Sequence, residues 1–114
     1  MLNAGIMTDE EFEAILVGKN KVCVCDFSAS WCGPCRLMAP IMEDISEKYK
    51  KSYYFYQIDI DSAEEIAKKY KVTAVPTIII FRDGKELGRT SGYQEFEEFE
   101  KFMLDTIENT ENEG

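Results

Sequence analysis

Residues 22–27, Val22-Cys23-Val24-Cys25-Asp26-Phe27, form a continuous apolar run interrupted by a single acid, and they restrict the fold more than any other segment. A strand that faces water on one side alternates apolar and polar residues. This run does not alternate, so it is expected to be a central strand covered on both faces. Helical patterns on either side of it can supply the cover. Thr8-Asp9-Glu10-Glu11 has the spacing of a capping box, Phe12, Ile15 and Leu16 follow at helical intervals, and this first helix ends near Gly18. From Pro34 to about Tyr49, Leu37, Met38, Ile41, Met42 and Ile45 fall on one helical stripe. Pro40 lies inside that stripe and is expected to kink the helix.

The remaining elements complete a mixed sheet. A short extended segment is expected near residues 3–7 and a second strand over 53–60; Ser62-Ala63-Glu64-Glu65 then opens a helix with Ile66, Ala67 and Tyr70 that closes before Val72. Strand, helix, strand, helix in that order implies parallel pairing. After Val75-Pro76, residues 77–81, the turn Arg82-Asp83-Gly84-Lys85 and residues 86–91 read as a β-hairpin, and Phe96, Phe99, Phe102, Met103 and Ile107 mark a last helix. The expected class is α/β, a central mixed sheet with helices on both faces. With 114 residues the chain suits one core, so 1–107 is read as a single domain and 108–114, where apolar periodicity stops, as a flexible acidic tail.

Charge and cysteine usage narrow the function. A formal charge of −9 repels phosphate backbones, so no nucleic-acid partner is expected, and the acids are read as a solvated surface. The apolar stretches around 22–29 and 74–81 fall far short of the roughly 20 residues that span a bilayer, so no membrane association is expected. The first nine residues do not resemble a secretory signal, which leaves a reducing, cytoplasmic setting as the expectation. Of four cysteines, two sit at i,i+2 in the apolar strand and two form a C-x-x-C, a poor framework for stapling loops.

The C-x-x-C is Trp31-Cys32-Gly33-Pro34-Cys35, between the buried strand and the second helix. Unpaired N–H groups and the positive end of the helix dipole favour a thiolate at Cys32, which is therefore the expected nucleophile. Cys35, almost one turn further on the same face, lies within reach of a disulfide and can resolve a mixed one. Gly33 allows a substrate backbone to approach, and Pro34 suits a first helical turn. A zinc site would need more ligands: the chain has no histidine, and the other two sulfurs are inside a strand, so no metal is expected. A static structural disulfide fits poorly with a helix start in a reducing compartment. Cys23 and Cys25, about 6.6 Å apart as strand neighbours, are too distant to pair easily and read as buried, inert thiols.

Asp26-Phe27, Ala29, Trp31-Cys32-Gly33-Pro34-Cys35, Pro40, the acidic stretch 59–61, Val75-Pro76-Thr77, residues 81–84 and Gly92 together resemble the thioredoxin family in order and spacing over about residues 3–107. The resemblance implies the thioredoxin fold with about four helices, protein-disulfide reduction by dithiol–disulfide exchange, and a redox-active Cys32–Cys35 disulfide in place of any bound cofactor. It also implies disulfide-containing protein substrates, an NADPH-dependent flavoprotein reductase as electron source, and a monomer. The resemblance further implies a nucleophile pKa of about 7 and a potential of about −270 mV. By the same resemblance, Val75-Pro76 is a cis peptide beside the sulfurs with the Val75 backbone pairing to substrate. Gly92 leaves room for the docked chain, and Trp31, Ala74 and Tyr93 add apolar surface. Asp26, whose pKa burial should raise, takes the role of proton acceptor for Cys35. The chain departs from the bacterial pattern at Gln57 and Ser28, where that pattern has a lysine facing the aspartate and a second tryptophan. An isomerase or oxidase of the same chemistry typically carries histidine between the cysteines, so Pro34 favours a reductant. A non-catalytic binding platform is the alternative of a different class.

Overall fold

The structure is a computed structural model and describes residues 8–112; the extended segment expected at 3–7 lies outside them. The elements run α1 (Asp9–Leu16), β1 (Val22–Ser28), α2 (Gly33–Tyr49), β2 (Tyr54–Asp59), α3 (Glu64–Lys69), β3 (Thr77–Arg82), β4 (Lys85–Ser91) and α4 (Phe96–Asn112). The four described strands lie in the order β2-β1-β3-β4, with β1–β2 parallel and the β1–β3 and β3–β4 pairs antiparallel. All seven residues of β1 are buried, as its unbroken apolar run requires.

Strand alternation sends successive side chains to opposite faces, and each face builds its own core. Cys23, Cys25 and Phe27 pack with Phe12 and Leu16 of α1 and Ile66 of α3, while Val22 and Val24 pack with Met38, Met42 and Ile45 of α2 and Phe99, Met103 and Ile107 of α4. Burying a large apolar side chain contributes about 1.5–3 kcal/mol, so these stripes outweigh the exposed ion pairs that bridge the helices, such as Glu13–Lys69 and Lys48–Glu100, worth under about 1 kcal/mol each.

Several local expectations shift. In α2 the buried stripe is Cys35, Met38, Met42 and Ile45, whereas Leu37 is exposed: it lies one residue, about 100° of helical rotation, from Met38. Pro40 sits within α2, which continues on both sides of it. Thr8 caps α1 by accepting from the Glu11 amide at 3.1 Å. Ser62 does not cap α3; its N-cap is Ala63, without a side-chain cap bond, because the Asp59 carbonyl accepts from both the Ser62 and Ala63 amides and holds that turn. The helix α4 runs through Asn112, so the boundary placed after Ile107 is not an end of secondary structure. Backbone hydrogen bonds propagate one residue at a time whether or not the side chains find a core. The hairpin turn is as expected: Asp83 and Gly84, both at positive φ, form its centre.

Candidate active site

The site lies where β1 ends and α2 begins. Cys32 is the N-cap of α2, in extended conformation, and Pro34 occupies the first turn, where a missing N–H costs no intrahelical bond. Cys32 and Cys35 are joined by a disulfide across a Cα–Cα distance of 5.2 Å. The Cys35 amide donates to the Cys32 sulfur at 3.2 Å, a bond that strengthens when that sulfur carries the negative charge of a thiolate. The Cys32 sulfur also lies 3.5 Å from the Val75 carbonyl oxygen. Both cysteines are nearly buried, in a small cluster with Ala29 that Ile60 and Val75 border.

Helix α2 differs from its neighbours in what flanks its N-terminus. The first turns of α1, α3 and α4 carry acids, respectively Asp9, Glu10 and Glu11; Glu64 and Glu65; and Glu97 and Glu98. The first turn of α2 carries none. In a chain of formal charge −9, the positive end of α2 is thus left for the sulfur of Cys32 instead of being neutralised by carboxylates.

A groove beside the disulfide is lined by Trp31, Cys32, Gly33 and Pro34 on one side and by Ile60 and residues 72–75 on the other. Its far wall is held in place by backbone chemistry. Lys71 adopts positive φ after α3, and the Val72 and Lys71 amides donate to the Ala67 and Lys68 carbonyls, a Schellman closure with lysine where glycine is usual. The near wall is fixed by Trp31, whose indole N–H donates to Asp61 at 2.8 Å while the ring stays 63% exposed. Val75–Pro76 is a cis peptide. Thr77 donates its hydroxyl proton to the Ala74 carbonyl at 2.6 Å, and the Gly92 amide donates to the Pro76 carbonyl at 2.9 Å. Gly92 thereby sits beside Pro76, at positive φ and with open space where a Cβ would be, but it does not line the groove. Tyr93 is exposed next to it.

Asp26 is buried in β1, 2% exposed, and burial pushes its carboxyl up to about 7. Its Oδ1 has no hydrogen-bond partner among the described residues. Cys23 and Cys25 are free, buried thiols on the opposite face of the sheet from Asp26; burial pushes Cys23 up to about 11 and Cys25 well above the ordinary thiol value. They belong to a different cluster from Cys32 and Cys35, and among the described residues no group of three or more histidine, cysteine or carboxylate side chains is placed to hold a metal ion. Sequence reasoning missed Ile60, Val72 and Thr73 in the groove wall. The apolar residues just after the second strand and the third helix were the available signal.

The chain is similar to known proteins over most of its length. The family model for thioredoxin matches residues 3–105. The chain is 40% identical to thioredoxin-1 of Saccharomyces cerevisiae over 85 residues, 75% of this chain and 81% of the yeast protein. It is 36% identical over 93 residues to a bifunctional thioredoxin reductase/thioredoxin of Mycobacterium leprae, covering 79% of this chain and 20% of that protein. The thioredoxin structure of Malassezia sympodialis superposes with a TM-score of 0.83 at 28% identity, covering 94% of this chain and 91% of the other.

Proposed function

The chain belongs to the thioredoxin family, and from that premise we propose how its residues divide the work of a protein-disulfide reductase. The activity itself is thiol–disulfide exchange. Cys32, as thiolate, attacks one sulfur of a substrate disulfide and releases the other as a thiolate; Cys35 then attacks Cys32, freeing the second substrate thiolate and leaving the intramolecular disulfide. A reductase returns the pair to the dithiol. The observation that carries this reading is the Cys35 amide directed at the Cys32 sulfur, at a helix start whose first turn carries no acid.

In the proposed assignment, Asp26 accepts the Cys35 proton during the second step. A carboxyl whose pKa burial brings to about 7 can both take and give up a proton near neutrality. Trp31, Gly33, Pro34, Ala74 and Val75 form the surface on which the substrate chain lies, with the Val75 backbone pairing to it; Pro76, next to Val75 across the cis peptide, and Gly92, bonded to the Pro76 carbonyl, lie beside that surface and outside the groove lining. The redox carrier is the cysteine pair, without a further cofactor. The electron donor is an NADPH-dependent reductase, an assignment supported by the relative in which a reductase and a thioredoxin share one chain. The protein is proposed to act as a cytoplasmic monomer; no helix among the described residues is long and apolar enough to cross a membrane.

Insulin-disulfide reduction with dithiothreitol as donor tests the reading. Wild type is expected to be active, and Cys32→Ser and Cys35→Ser to fall to background, with Cys35→Ser accumulating a covalent mixed disulfide. Full activity in Cys32→Ser contradicts it.

A further inference from the structure

Two hydroxyls tie the end of β4 to the loop that precedes β3. Thr77 and Ser91 are direct partners in the antiparallel β3–β4 ladder, and their hydroxyl oxygens lie 2.8 Å apart. Thr77, 2% exposed, donates its one hydroxyl proton to the Ala74 carbonyl at 2.6 Å. Toward Ser91 the Thr77 oxygen can therefore only accept, which gives the chain a direction: Ser91 hydroxyl to Thr77 hydroxyl to Ala74 carbonyl.

The last of these bonds sets the plane of the peptide between Ala74 and Val75. In a trans peptide the C=O and the N–H point in opposite directions, so an Ala74 carbonyl drawn toward Thr77 turns the Val75 N–H away from that hydroxyl. The Val75 amide has no hydrogen-bond partner among the described residues. Val75 lines the groove, and its carbonyl oxygen lies 3.5 Å from the Cys32 sulfur. One residue beside the redox pair thus offers an open N–H, the group through which a chain laid alongside in extended form is held.

We propose that Ser91 is a positioning residue for substrate docking: by donating to Thr77 it holds the Thr77 hydroxyl on the Ala74 carbonyl and keeps the Val75 N–H presented to the incoming chain. The inference rests on the reading that the Val75 backbone pairs with substrate. A hydroxyl that accepts one hydrogen bond donates the next more strongly, so the Ser91 bond tightens the one that orients the peptide. Without it, the buried Thr77 oxygen loses its donor and the peptide plane is held by a single, weaker bond. A peptide substrate feels that loss, because it uses the Val75 N–H. A small disulfide with no peptide backbone does not, and the exchange at the sulfurs is untouched.

The test is single-turnover reduction, by the pre-reduced protein, of a disulfide-linked peptide, of the same peptide N-methylated beside its cysteines, and of dithiobis(nitrobenzoate), which has no peptide backbone. Wild type, Ser91→Ala and Ser91→Thr are compared, each checked for fold by circular dichroism; Ser91 is exposed, so both substitutions leave the core intact. Ser91→Ala is expected to raise the half-saturating concentration of the peptide about three- to tenfold, the maximal rate and the rate on dithiobis(nitrobenzoate) staying as in wild type. Ser91→Thr, which keeps the hydroxyl, is expected to restore the wild-type value, and the nitrogen-15 resonance of the Val75 amide to move in Ser91→Ala and return in Ser91→Thr. A half-saturating concentration for Ser91→Ala within about 1.5-fold of wild type, with the N-methylated peptide poorly reduced, overturns the role of Ser91 and leaves the pairing reading standing. Equal slowing of Ser91→Ala on the peptide and the small disulfide also overturns it, as does a Ser91→Thr that behaves like the alanine variant. An N-methylated peptide reduced by wild type as well as its parent overturns the pairing reading, and the proposal with it.

Discussion

Strand β1 and the mouth of α2 each hold two cysteines, yet the two regions surround the same side chain with different groups. Inside β1, Cys23 and Cys25 are enclosed by Phe12, Phe27, Tyr56 and Phe81, and burial raises both thiols. At the mouth of α2, Cys32 is largely buried but borders the groove, a backbone amide points at its sulfur and no acid occupies the first turn. Burial alone therefore makes a thiol inert; burial beside oriented N–H groups makes it a nucleophile. Asp26 obeys the rule of the strand, and its proposed use as proton acceptor depends on that: a carboxyl raised to about 7 can take up a proton near neutrality, whereas one at the ordinary value is almost permanently ionised there.

The comparison is sharpened most by Asp26→Asn. Because the folded carboxyl is raised to about 7 from 3.8, the buried acid imposes no charge penalty below pH 4; the penalty grows as pH rises from there and is complete above pH 7. The shift amounts to about 4 kcal/mol, so Asp26→Asn is expected to gain about 3–4 kcal/mol over wild type at pH 8 and under about 1 kcal/mol at pH 4, read from urea unfolding. An equal gain at both pH values would mean the strand interior does not repel charge. A smaller effect is expected from Cys25→Ser, which buries a hydroxyl where a thiol sat among apolar groups: about 1–3 kcal/mol lost in the same unfolding assay, with insulin reduction within about twofold of wild type. A large loss of activity in that variant, with the fold intact, would erase the distinction between the two pairs.

Much of this arrangement was legible in residue order. The unbroken run 22–27 demanded a central strand, the position of C-x-x-C after it placed a sulfur at a helix start, and Asp83-Gly84 marked the hairpin turn. What was hidden depended on backbone conformations that side-chain patterns do not announce. Lys71 closes α3 in the left-handed conformation where a glycine would have been the signal, and that closure delivers Val72 and Thr73 to the groove wall. Ala63 is the N-cap of α3 because Asp59 supplies the turn from four residues back, which a capping pattern centred on Ser62 could not show. The long-range Trp31–Asp61 bond joins residues thirty apart, in loops that the parallel β1–β2 register brings side by side.

The central claim is that geometry at the mouth of α2 ionises one thiol while the neighbouring strand keeps two others protonated. Its most direct measurement is the pH dependence of alkylation of each cysteine in the fully reduced, folded protein, resolved by peptide mass spectrometry. Cys32 is predicted to react with a midpoint clearly below the value of about 8.5 for a free cysteine, and Cys23 and Cys25 to stay unmodified across the same range until the protein unfolds. A Cys32 midpoint at or above that value, or alkylation of the strand cysteines in step with it, would contradict the account.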